Sequence, residues 1–155
     1  MDATVRTVRA HEVLVECFAE QRRGAAGRRL ERLRRAETDL RACLDALAPR
    51  LLAPNELALL SLERQFDERS AAGRVAHADA LLQVLPVFLD DFRWHGDDLE
   101  DRRLRIRLAE PLTEAVLRTR TIRGPRAGAA AWRVEAAVRH AVWMLRMERE
   151  EARRG

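Results

Sequence analysis

Leu104-Arg105-Ile106-Arg107-Leu108 is the stretch on which the fold turns. Its alternation of apolar and cationic residues has the period of an amphipathic strand. Yet Leu104, Leu108, Leu112 and Val116 also recur every four residues, which marks one face of a helix. No second strand candidate is at hand to pair with it, so the spacing predicts a helix over 98–118. Asp97 with Glu100 fits a capping-box variant at its start. Pro111 is expected to mark a bend or the first position of a further helical turn.

Working outward, the same periodicity recurs. A first segment runs from about Thr4 to Ala48. Val5, Val8, Val15 and Phe18 stripe its first half, and Leu30, Leu33, Leu40, Leu44 and Leu47 its second. Gly24 and Gly27 between them are either a weak point in one long helix or a turn between two, because glycine is a poor interior helix residue. Pro49 to Pro54 ends the segment. A second helix is expected from about Asn55, a good N-cap residue, to Arg69, with Leu59, Leu62 and Phe66 on one face. Ser70 to Gly73 reads as a turn. A third runs from His77 to Trp94 and is apolar on nearly all sides, which places it at the centre of a bundle. Pro86 should kink or divide it. After a loop over Thr119 to Gly128, a last helix runs from Ala129 to Glu151, striped by Val134, Val138, Ala141 and Leu145. Residues 148–155 read as a solvated tail. The expectation is all-α, a single-domain bundle of five to six helices over residues 1–155.

Composition agrees. The chain has 155 residues, 47% hydrophobic and 35% charged, a length and balance that suit one folded domain rather than disorder or a membrane protein. No apolar run approaches the ~20 residues of a membrane span. The start, MDATVRTVRAHE, lacks a signal-peptide core. Cys17 and Cys43 sit among helix-periodic apolar residues and read as small buried hydrophobes in a reduced compartment. A cytoplasmic location, with no membrane partner, is the expectation.

All 29 basic residues are Arg, against 25 acids, for a formal charge of +4. A GC-rich genome alone produces such a bias, but its consequence is that every cation is a planar fork suited to phosphate and carboxylate. Arg22 to Arg35 holds seven Arg and one Glu, a local charge of +6. Arg22, Arg23, Arg28, Arg29, Arg32 and Arg35 are candidate phosphate contacts, with Arg28, Arg32 and Arg35 on one helical face. The competing reading is a solvated face paired with acids elsewhere in the fold. Arg118, Arg120, Arg123 and Arg126 punctuate a Gly/Pro loop, with no acid between Glu114 and Glu135, and form a second candidate cluster.

Asp90, Asp91, Asp97, Asp98, Glu100 and Asp101, with His95 among them, match no calcium-loop spacing. They read as an acidic patch facing the basic ridge of a neighbouring copy, which allows head-to-tail assembly. No metal or cofactor site is expected: none of His11, His77, His95 and His140 belongs to a zinc-binding pattern. Trp94, Trp132 and Trp143 could stack on bases if exposed; the positions of Trp132 and Trp143 beside the last helix's stripe favour a core or helix-interface role.

Two resemblances follow. Arg133 and His140, seven apart on one helical face, resemble the Arg…His motif of the helical ribonuclease superfamily often called HEPN. That likeness implies metal-independent RNA cleavage by those two residues, although Val134 stands where those enzymes carry a polar residue. The ridge Arg28-Arg29-Leu30-Glu31-Arg32-Leu33-Arg34-Arg35, with the basic loop Arg118 to Arg126, resembles the small all-helical subunits of multi-protein CRISPR effector complexes in size, helix content and charge. That resemblance implies a non-catalytic subunit. It would contact RNA or single-stranded DNA through both arginine clusters, as the two walls of one site, and work with other protein subunits and further copies of itself. The alternatives are a helical protein-interaction or oligomerisation module and the small ribonuclease.

Overall fold

Gly24 and Gly27 decide how the first long apolar pattern divides. Both have positive φ, +71° and +59°, a region that glycine alone enters without penalty. The chain therefore turns: α1 spans Ala10–Arg22 and α2 spans Gly27–Leu51. The computed structural model describes residues 7–90 and 98–155. α1 buries Val13, Leu14, Cys17 and Phe18; α2 buries Leu33, Ala36, Leu40, Cys43 and Leu44. α2 passes through Pro49 to Leu51 rather than stopping before it, and Leu52 N donates to Ala48 O at 3.0 Å to close the end.

α3, Pro54–Phe66, starts earlier than expected. Pro54 takes the first helical position, for which its fixed φ is suited. The expected N-cap Asn55 therefore sits inside the first turn, and Ala53 N donates to Glu56 Oε1 at 3.3 Å instead. The face of Leu59, Leu62 and Phe66 is exposed, and α3 rests on Leu60. The turn at Ser70 is real, with Ser70 left-handed at φ 56°. It leads at once into a short helix, α4 (Ala71–Val75), that buries Ala71, Ala72, Gly73 and Val75. Asp45 Oδ1 accepts from Ala72 N at 3.1 Å and fixes α4 on α2. Burial pushes the Asp45 carboxyl up, and the amide bond opposes that shift.

A single antiparallel bridge between Arg9 and His77 ties the start of α1 to the link after α4: Ala78 N donates to Val8 O at 3.0 Å and Ala10 N to Ala76 O at 2.9 Å. α5, Ala80–Phe88, buries Ala80, Leu81, Leu82, Val84, Leu85 and Phe88 and packs on α2, α6 and α7, which makes it the centre of the bundle. Pro86 does not divide it; the helix ends two residues later. The helix starts three residues later than the expected His77, which is held in the bridge to Arg9, and Leu89 caps its end; residues 91–94 of the expected third helix lie outside the described residues.

α6, Leu99–Thr119, settles the opening ambiguity. Leu104, Leu108, Leu112 and Val116 are buried, while Ile106 is half-buried and Arg107 exposed, the pattern of a helix and not of a strand. Asp98 is the N-cap, its Oδ1 accepting from Asp101 N at 2.9 Å; Asp97 lies outside the described residues. Pro111 stays inside the helix. The connection to the last helix, α7 (Gly124–Arg154), is only residues 120–123, because Pro125 opens α7 ahead of Ala129. α7 has 31 residues, about 46 Å at 1.5 Å per residue. It forms a hairpin with α6, clasped by Arg102 on Glu148 at 2.5 and 3.0 Å. That contact lowers the Glu148 carboxyl pKa. The fold is thus an all-α single domain of seven helices among the described residues, one more than the upper expectation. Among those residues no helix is long and apolar enough to cross a membrane.

Candidate interaction surfaces

The ridge does not stand free. Arg32 Nη1 lies 2.6 Å from Asp98 Oδ1 and 3.0 Å from Asp101 Oδ1, and Arg35 Nη1 lies 3.0 Å from Asp101 Oδ2. Arg22 reaches Glu37 at 3.5 Å, and Arg23 reaches Glu20 at 2.9 Å. The hydrogen bond from Arg32 is the main reason the Asp98 carboxyl is held well below the ordinary carboxylate range, with the Asp101 amide second; the Arg32 guanidinium is correspondingly pushed up. This corrects the expectation for the acidic segment. Asp98 and Asp101 serve the ridge of their own chain, because α6 starts beside the first half of α2. Arg28 and Arg29 are exposed and make no ion pair among the described residues.

The second cluster keeps its charge. Arg118 lies in the last turn of α6, Arg120 is its left-handed C-cap at φ 57°, and Arg126 belongs to the first turn of α7 rather than to a loop. Arg123 Nε donates to Arg120 O at 3.2 Å. All four side chains are exposed, with no ion pair among the described residues. The clusters are not two walls of one narrow site. Asp101, which holds Arg32 and Arg35, and Arg118 lie 17 residues apart on α6, about 26 Å along its axis.

Of the remaining candidates, Arg133 and His140 are both exposed. The His140 ring stacks on Trp143, with centroids 6.2 Å apart at 27°. No group of His, Cys, Asp and Glu among the described residues could hold a metal ion; Asp91, His95 and Asp97 lie outside them, as does Trp94. Cys17 and Cys43 are buried and not joined in a disulfide, and burial pushes the Cys17 thiol up. His11, in the first turn of α1, faces α2, its Nδ1 3.1 Å from Arg41 Nη1. Burial first, then the Arg41 and Arg74 charges, lower its pKa.

Trp132 and Trp143 correct the core expectation, being 62% and 54% exposed. At 100° per residue, Trp132, Ala136, Trp143 and Met147 fall within about 60° of one another, opposite the buried Val134 and Ala141. α7 therefore rests on the bundle by one side and carries exposed large apolar residues, beside Arg139 and Arg146, on the other. The sequence held the signal: three large apolar residues offset from the core stripe are more than one buried face needs. α3 adds a second such face, with Phe66 87% exposed beside Leu59 and Leu62.

Two grooves border these elements. Between α6 and α7 a cleft of about 670 Å³ is lined by Ile106, Ala109, Leu117, Val134 and Val138. Between α1 and α6 one of about 600 Å³ has apolar surface from Val13, Cys17, Pro111 and Ala115 and carboxylates from Glu12, Glu16, Glu20 and Glu114, with Arg118 as its cation. Set against known proteins, the chain matches no family model, no curated sequence and no solved structure.

Proposed function

We propose that this protein is a non-catalytic helical interaction subunit that docks other protein surfaces through the outer face of α7. The observation that carries this reading is the exposed Trp132–Trp143–Met147 stripe on a helix that buries only Val134 and Ala141. Clustered exposed aromatics are unfavourable in water, and Trp with Arg dominates the energetic centres of protein interfaces. The exposed apolar face of α3 supports the same reading. A photo-crosslinking residue in place of Trp143 tests it in the native cell. The expected result is a discrete protein adduct, identified by mass spectrometry and lacking when the probe replaces Arg28. No adduct at position 143 would overturn the reading.

A second reading, backbone contact with RNA or single-stranded DNA, is favoured by one observation: the exposed arginines at the α6–α7 corner make no ion pair among the described residues, although Arg118 faces the glutamates of the α1–α6 groove. Four phosphate contacts to a single strand give a slope of log affinity against log salt of about −3. Arg120→Glu with Arg123→Glu should remove more than half of that slope, and intact strands should be recovered after incubation. Binding that ignores salt would remove this reading and leave the first in place. A small helical subunit of a multi-protein assembly would use both surfaces.

A further inference from the structure

We infer that the outer face of α7 docks an acidic amphipathic helix on its protein partner. This rests on the protein-docking reading above and names the chemistry of the partner. Trp132, Ala136, Trp143 and Met147 follow one another at spacings of four, seven and four residues, so they form a seam along one face of the helix. The two rings lie about 16 Å apart along the axis, with the small, half-buried Ala136 between them. A second helix fits that relief, its own apolar residues entering the gap between the rings. The flanks decide the partner's charge. Arg126 and Arg133, seven residues and about 10 Å apart, border the seam on one side, and Arg146 borders it on the other. All three are exposed and make no ion pair among the described residues. Glu135 is the one acid over residues 126–147, and it already lies 4.0 Å from Arg139. The free charges beside the seam are therefore all cations.

Three other occupants fit less well. A second copy of α7 would bring the same cations to the same flanks, and like charges at close range disfavour that pairing. An anionic membrane surface would accept the cations, but an interfacial helix needs a continuous apolar face, and here the Arg139–Glu135 pair interrupts the seam. A nucleic-acid strand stacks its bases one after another, and two tryptophans this far apart make a poor platform for it. A helix with carboxylates at seven-residue spacing beside its apolar residues meets both demands: it covers the tryptophans and reaches the arginines on either flank.

Fluorescence anisotropy on the full chain tests this with two labelled synthetic helices. Both carry the same seam of leucines; one has Glu on both flanks and the other Lys. The acidic helix should bind at least about tenfold tighter than the basic one, since three pairs at the rim turn from attractive to repulsive. The difference should narrow as salt rises. Trp132→Ala with Trp143→Ala should weaken binding of the acidic helix at least about thirtyfold, the loss of one interface hot spot. Arg133→Glu with Arg146→Glu should reverse the preference. All four positions are exposed, and far-ultraviolet circular dichroism checks that the variants fold. Equal binding of the two helices, or binding of neither, overturns the inference. So does binding to phosphatidylserine vesicles or to a short single-stranded RNA that the tryptophan variant loses, which would assign the face to a membrane or a nucleic acid. A crosslink from position 143 to another protein, with the two helices binding alike, would sink this inference alone; no crosslink at all would sink the docking reading beneath it.

Discussion

Truncating α6 one side chain at a time tests the helical reading of Leu104–Leu108 at its root. Leu108 is 1% exposed. Leu108→Ala removes buried carbons and leaves a cavity, and should cost about 3 kcal/mol, inside the ~2–5 kcal/mol span for such changes. Leu112, fully buried four residues on, should lose a similar amount. Ile106 is half-buried at the α6–α7 cleft, and Ile106→Ala should cost about 1 kcal/mol, since less area returns to water. In a chain of 155 residues each kcal/mol moves Tm by about 2–4 °C. The first two variants should therefore melt about 6–12 °C below wild type, and Ile106→Ala about 2–4 °C below. Urea unfolding followed by circular dichroism at unchanged m-value checks that stability alone has moved. A strand would put Leu104, Ile106 and Leu108 on one face. Equal losses for Ile106→Ala and Leu108→Ala, with Leu112→Ala near neutral, would refute the helix.

Two pH effects follow from the polar contacts. The Asp98 carboxyl is held below its ordinary value, chiefly by Arg32. Its stabilising contribution is complete above the unfolded value of about 3.9 and is lost as pH falls from there through the lowered folded value; Asp98→Asn should flatten the acid limb of a Tm-against-pH curve, and an unchanged limb would show that the pair contributes nothing. His11 is a base with a lowered pKa. The unfolded chain takes up a proton near pH 6.5 that the folded chain resists, so stability should fall as pH drops below about 6.5. His11→Gln should remove that part of the slope, and parallel curves for the two proteins would place its cause elsewhere.

How much was legible follows from what each signal depends on. The buried stripe Leu104, Leu108, Leu112 and Val116 was readable because periodicity reports burial directly. The centrality of α5 was readable because no helix apolar on all sides can lie at a surface. Helix ends were less so. Asn55 and Pro54 both signal a start, and the proline's fixed φ prevailed; Pro125 opened α7 five residues early for the same reason. The ridge showed its charge but not its partners, since Arg32 and Asp98 meet across 66 residues and only the packing of α6 on α2 joins them. The tryptophans of α7 were misplaced because apolar character was equated with burial, a rule that runs one way only.

The clasp between Arg32, Arg35 and the two aspartates bears on more than charge. α2 begins badly for a helix: Ala26 offers no side chain to its free amides, its first turn holds no acid, and Arg28 and Arg29 crowd the positive pole of the helix dipole. The anions that offset this arrive at the head of α6. The opening turns of α2 thus draw part of their support from a segment made long after them, beside the burial of Leu33 and Ala36.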